Sequence, residues 1–181
     1  MYESTKVWEL YEKCLKQARE KLREIDVFCD NDPTFGGLSG WVFEQTIQHC
    51  VQKELQAIGI QIQIRQQVSL TGRAKVDLAV ENIAAIEVKT SGLFGTADVE
   101  RYKKYKEAAL QQGFQRYLYL TWSESHLPYK VGLNDAIGEE NIFYIENTAE
   151  WSRFISVLAE GATSKYGVDS DAVNPAAQVM P

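Results

Sequence analysis

Residues 75–89, KVDLAVENIAAIEVK, decide the reading of this chain. Two runs, 76–80 and 83–88, are alternating or solidly apolar, and Glu81-Asn82 between them is turn chemistry, so the segment reads as a β-hairpin. Matching apolar side chains sets its register. Val80 opposite Ala84, Leu78 opposite Ile86 and Val76 opposite Val88 make one wholly hydrophobic face. The same register puts Asp77 across from Glu87 and Lys75 across from Lys89 on the other face, with Ala79 and Ala85 leaving room beside them. Carboxylates placed this way have Cβ atoms roughly 4.5–5.5 Å apart and repel one another. A divalent cation between them reverses that term. Two acids and a lysine converging on one point are the groups that metal-assisted phosphodiester hydrolysis requires.

Alternating charge on a strand is also what the solvated face of an ordinary hairpin looks like. Three details favour a site. A solvated face seldom pairs two acids without a neutralising neighbour, and these two are flanked by alanines where long polar side chains would be expected. The second run is too apolar for an exposed edge and belongs in the middle of a sheet. A carboxylate and an ammonium at the end of an interior strand are costly unless used or paired. The small-residue stretch from Thr90 to Thr96 then leads into a helix.

Asp77, nine intervening residues and Glu87-Val88-Lys89 resemble the signature of the PD-(D/E)xK nuclease superfamily, with Val76-Asp77 where the Pro-Asp pair would stand. The helix–strand–strand–strand–helix–strand order read over residues 39–122 agrees with it. The resemblance implies an α/β, restriction-endonuclease-like core: a central mixed β-sheet of about five strands flanked by helices. It implies Mg²⁺, with Mn²⁺ able to substitute, held by Asp77, Glu87 and the carbonyl of Val88. Lys89 would orient the attacking water or stabilise charge developing on the phosphate, and Glu44 would bind a second metal or that water. DNA is the expected substrate. A catalytically inactive domain of the same fold, serving as a nucleic-acid or protein binding module, is the alternative.

The flanking segments supply the frame. Trp8, Tyr11, Leu15, Ala18, Leu22 and Ile25 recur at helical spacing, so residues 1–29 read as an added amphipathic helix packed on the core, or as the seam of a homodimer. Residues 30–37 are turn-rich. Ser39 is a plausible N-cap for a second helix that ends near Ile58 at Gly59. Its stripe of Ile47, Val51, Leu55 and Ile58 leads back one turn to Glu44. Ile60, Ile62 and Ile64 alternate with polar residues as a half-exposed strand. Residues 99–112 are helical with Tyr102, Tyr105 and Ala109 inward, and they carry Arg101, Lys103, Lys104 and Lys106. Some branches of the superfamily carry Gln-x-x-x-Tyr in this helix; here the tyrosine, Tyr105, is kept and Arg101 replaces the glutamine. Arg73, Lys75, Ser91, Arg101, Lys104 and Tyr105 are the candidates for nucleic-acid contact. Strands at 117–122 and 142–145 and a helix at 149–160 complete a domain over residues 39–160, with 161–181 expected as a flexible tail.

Composition allows this reading without requiring it. The 181 residues suit one domain, and 45 % apolar with 24 % charged residues is ordinary for a soluble protein. The net charge of −6 argues against a nucleic-acid binder until its location is considered. Residues 1–133 carry 17 acidic and 17 basic side chains, while 134–181 carry 8 acidic against 2 basic. Residues 1–133, which include Asp77 and Glu87, are therefore neutral, and the last 48 residues account for the whole −6. Cys14, Cys29 and Cys50 lack metal-ligand spacing and read as free thiols, and no signal peptide or membrane-length apolar run is seen, so the expected location is the cytoplasm. His49 and His126 are too isolated to suggest zinc or catalysis.

Overall fold

The hairpin forms, and its second strand is the centre of the sheet. The computed structural model describes residues 3–24, 33–72, 74–91, 95–124 and 127–166. In chain order these make α1 (Ser4–Arg23), α2 (Pro33–Ala57), β1 (Ile64–Ser69), β2 (Lys75–Val80), β3 (Ala84–Lys89), α3 (Thr96–Gln111), β4 (Arg116–Thr121), α4 (Leu127–Ile137), a 3₁₀ turn (Glu139–Asn141), β5 (Ile142–Tyr144) and α5 (Thr148–Tyr166). The strands lie in the order β1-β2-β3-β4-β5, antiparallel from β1 to β3 and parallel from β3 to β5. Five of the six residues of β3 are buried, as a strand covered on both faces requires.

Helices cover both faces, giving an α/β protein with a five-stranded mixed sheet and five helices. On one face Phe43, Ile47, Val51 and Leu55 of α2 pack with Leu78, Ile86 and Leu118, joined by Trp151, Phe154 and Leu158 of α5. On the other, Tyr102 and Ala109 of α3 and Leu133 and Ile137 of α4 pack over Ala79, Ala85, Tyr117 and Tyr119. α1 joins the first layer. Trp8 stacks on Trp122 with ring centroids 4.3 Å apart, and Tyr11 meets Phe43 edge-on at 5.2 Å. The fully buried edge of α1 runs through Ser4, Val7 and Tyr11, with Trp8, Leu15 and Ala18 of the expected stripe only partly buried.

Several element boundaries differ from the sequence reading, among them the start of β1, since Ile60 and Ile62 precede the strand that begins at Ile64. α2 begins at Pro33, within the stretch read as a turn, because proline lacks only an N–H that the first helical turn leaves unbonded. Its end is as read: Gly59 has φ 81°, Ile60 N–H donates to Leu55 O at 2.8 Å and Gly59 N–H to Gln56 O at 3.0 Å. α4 fills a segment read only as a connection, since among its described side chains just Leu133 and Ile137 are fully buried and no long stripe announces it. α5 runs six residues past Glu160, into the start of the expected tail. There Ala162 is buried, and Gly161 lies so close to the hairpin turn that an added Cβ would stand 2.5 Å from Ile83 Cγ2.

The outer edge of β1 is covered by α2. Gln48 Nε2 donates to Ile64 O at 3.2 Å, and Gln52 Nε2 donates to Ile62 O at 3.3 Å. Gln66 Nε2 in turn donates to Gln48 Oε1. Among the described residues, no helix is long and apolar enough to cross a membrane.

Candidate active site

The β2–β3 ladder follows the expected register as far as it extends: Val80 pairs with Ala84, Ala79 with Ala85 and Leu78 with Ile86. Beyond that the two strands part. β2 stays paired with β1 down to Lys75–Ser69, and β3 stays paired with β4 up to Lys89–Thr121. The hairpin is a fork with Asp77 in its cleft. Asp77 Oδ2 accepts the Val88 N–H at 2.8 Å, replacing the partner that the interrupted ladder no longer offers.

The fork corrects part of the expected pairing. Leu78 and Val80 belong to the core under α2, whereas Val76 packs with Ala79 in the core under α3. β1 changes sides in step, with Ile64 in the first core and Val68 against the second. The change falls at Gln67, which lies between the Gln66–Leu78 and Val68–Val76 pairs, across from Asp77, and has φ 48°. That left-handed conformation is uncommon for a residue other than glycine, and it ends strict alternation. The expected pairs Val76–Val88, Asp77–Glu87 and Lys75–Lys89 therefore do not form, and Lys75 is exposed at the start of β2.

Lys89 closes the mouth of the fork. Its Nζ lies 2.6 Å from Glu87 Oε1, 3.2 Å from Asp77 Oδ2 and 3.1 Å from Val88 O. Asp77 and Glu87 are 9 % and 5 % exposed, so these charges meet where water is scarce. Burial pushes the Glu87 carboxyl up to about 7, against the opposing pull of Lys89. Burial alone would lower the Lys89 ammonium, but Glu87 and Asp77 outweigh it and hold it above its usual value. The second carboxylate oxygen, Glu87 Oε2, is buried with no hydrogen-bond partner among the described residues. An orphaned charged oxygen of this kind is costly, and a cation or an ordered water relieves it.

Glu44 approaches from α2, at the head of the buried Ile47–Val51–Leu55 stripe. It does not touch Asp77 directly; the Gln67 amide stands between, with Nε2 3.0 Å from Glu44 Oε2 and 3.3 Å from Asp77 Oδ1. Partial burial and the Asp77 charge raise the Glu44 carboxyl, and the Gln67 hydrogen bond and the Lys89 charge oppose that rise. Sequence reasoning missed Gln67. Counting the β1–β2 register back from Asp77 would have found it, since it is the residue across the ladder. On the opposite side Tyr102, 1 % exposed, shares the field of Glu87 and Lys89, and its hydroxyl accepts a hydrogen bond from Arg101 Nη2 at 3.0 Å. Tyr119, paired with Glu87 across β3–β4, and Tyr117, paired with Ala85, fill the room expected beside the alanines. Both their hydroxyls are buried without partners.

Asp77, Glu87, Val88 and Lys89 are thus in direct contact, Glu44 is joined to them through Gln67, and Arg101 reaches their edge through Tyr102. Arg101 is also paired with Asp98 at 2.7 Å. Tyr105 is half-buried and edge-on to Tyr102, so Tyr102 and not Tyr105 is the tyrosine turned toward the acids. Ser91 and Lys104 are exposed on the segment after β3 and on α3, and make no contact with the acids. Lys106 is spent on Ile137 O at 3.0 Å, at the end of α4. Arg73 and His126 lie outside the described residues.

Among the described residues, no three acidic, histidine or cysteine side chains are grouped closely enough to hold a metal by themselves. The donor set at the fork is smaller: two carboxylates and a carbonyl, all hard oxygens already gathered around one cationic nitrogen. That set suits a cation which keeps several waters, and the orphaned Glu87 Oε2 gives it a reason to bind. Two concavities lie elsewhere and include none of these groups. One, of about 570 Å³, is lined by Lys130, Asn134, Glu140 and Arg153; the other, of about 340 Å³, lies between α1 and α2 against Cys14, Trp41 and His49. Comparison with protein-family models, with curated proteins and with solved structures finds no match to this chain.

Proposed function

We propose that the chain is a divalent-metal-dependent nuclease of the PD-(D/E)xK, restriction-endonuclease-like kind, hydrolysing DNA phosphodiester bonds at the fork. One observation carries the reading: a single ammonium gathers Asp77 Oδ2, Glu87 Oε1 and Val88 O at the end of the central strand, beside a buried carboxylate oxygen with no partner. Structural ion pairs are usually satisfied at both ends; a pair left with an orphaned oxygen in a cleft marks a site.

Asp77, Glu87 and the Val88 carbonyl would hold Mg²⁺ or Mn²⁺ there, and the cation would supply Lewis-acid activation of water and phosphate. The chain's own groups do the rest. The Val88 N–H fixes Asp77 by one oxygen, and the Gln67 amide holds the other, so this carboxylate has little freedom to turn. Lys89 places a compact positive charge where a scissile phosphate would gather negative charge in the transition state. Glu44, held through Gln67, is the candidate to orient the attacking water from the α2 side. Exposed Lys103 and Lys104 on α3, with Arg101 nearer the acids, would meet the backbone phosphates on either side.

The test is cleavage of supercoiled plasmid, single-stranded DNA, a flap and a four-way junction with Mg²⁺ or Mn²⁺, run beside Lys89→Ala. Metal-dependent cutting that Lys89→Ala lacks is the expected result. No cutting of any substrate, together with metal binding that Asp77→Ala leaves unchanged, replaces the nuclease with a binding module of the same fold.

A further inference from the structure

We propose that Lys89 is the resident counter-ion of the fork, that a divalent cation loads by displacing it, and that its ammonium is free to meet a phosphate only once the cation is in place. This rests on the metal-dependent reading and adds an order of events to it.

The argument starts from occupancy. The three oxygens that suit a cation are the three that Lys89 Nζ already holds, at 2.6, 3.1 and 3.2 Å. The remaining Asp77 oxygen is engaged by the Gln67 amide. Among the acid oxygens of the fork only Glu87 Oε2 is unengaged, and one buried oxygen is too few for a hard cation. A cation bound to the same oxygens would stand within a few ångströms of the ammonium, where like charges repel strongly in a poorly hydrated cleft. One of the two must leave. Lysine is built to do so, because its charge is a point at the end of a flexible stem. The Lys89 side chain is about one-third exposed, so a route outward to solvent is open. Before exchange the two carboxylates outweigh the single ammonium, and the fork presents net negative charge to an anionic substrate. After exchange it presents a divalent cation and a released ammonium. Cation first and nucleic acid second is the order this favours.

The experiment is calorimetric titration of Mn²⁺ into the full chain as wild type, Lys89→Met, which keeps the stem without the charge, and Lys89→Arg, which keeps the charge. Lys89→Met is expected to bind Mn²⁺ about tenfold or more tightly than wild type, and Lys89→Arg no more tightly than wild type. Metal binding in the wild type that Lys89→Met does not tighten overturns the exchange and leaves the nuclease reading standing. Equal tightening in Lys89→Arg overturns it too, since loss of charge would not then be the cause. Absence of Mn²⁺ binding in all three removes the metal-dependent reading itself. Should Lys89→Met prove too unstable for calorimetry, Lys89→Gln and thermal melting replace it. Mn²⁺ is expected to raise the melting temperature of Lys89→Gln more than that of wild type, and an equal or smaller rise overturns the proposal.

Discussion

The two halves of one hairpin follow opposite rules. In one, Leu78–Val80 and Ala84–Ile86 are paired in register, apolar and fully buried. Within two residues of those pairs the same strands have parted, a carboxylate replaces a backbone acceptor, a buried oxygen has no partner among the described residues, and the residue across from Asp77 has positive φ. The closed half holds the sheet together. The open half spends part of that stability on holding charges where water would otherwise disperse them.

Mutations on either side should separate these roles. The largest effect is expected in the closed half. Ile86→Ala removes a side chain with no exposure and should cost about 3 kcal/mol in urea denaturation while leaving Mn²⁺ affinity near wild type. A comparable loss of metal affinity would show that the halves are not independent.

In the open half, charge should work against stability. The Glu87 carboxyl titrates at about 7 in the fold, against 4.5 for an ordinary glutamate. A folded value above the unfolded one means that the folded state binds the proton more tightly. The contribution is therefore complete below pH 4.5 and is lost as pH rises through 7. Metal-free Glu87→Gln should accordingly be more stable than wild type at pH 8, by on the order of 2 kcal/mol, and the advantage should vanish at pH 4.5. A variant less stable than wild type at pH 8 would mean that the Lys89 pairing outweighs burial.

Two smaller effects sharpen the contrast. Gly161 gives the closed end its contact with α5, so Gly161→Ala should lose about 1 kcal/mol where helix propensity alone predicts a gain of similar size. At the open end, Gln67→Gly and Gln67→Ala lack the same amide, so their difference reads the backbone alone. Glycine should be the more stable by about 1 kcal/mol, the reverse of the usual order within a strand, and alanine above glycine would remove the strain from the account.

These contrasts also mark what was legible in the sequence. The closed half was, because apolar residues at a period of two leave one register that buries them all, and Leu78–Ile86 pairs accordingly. Asp77, Glu87 and Lys89 were legible as a cluster because the expected register set them side by side, although the pairing stops at Leu78–Ile86 and Lys89 makes the contacts that join them. The fork was not, since it depends on β1 and β4 each drawing one strand away, and neither pull is written in residues 75–89. Gln67 was hidden for the same reason: its role comes from a backbone conformation that glutamine does not advertise. Tyr102 was read as inward but not as part of the site, because helical spacing gives the face of a residue and not its height against the sheet. α4 was missed because two buried residues make no stripe.

The glutamines of α2 bear on a different matter, the behaviour of the chain at high concentration. β1 is an edge strand, and an edge strand with free carbonyls is a template onto which a strand of another molecule can zip. The carbonyls of Ile62 and Ile64 are already taken by Gln52 and Gln48, side chains that no foreign strand can displace without unseating the helix they belong to. Protection of this edge against self-association is therefore encoded 10 and 16 residues upstream of the two carbonyls, in positions that would pass for unremarkable polar surface on a helix.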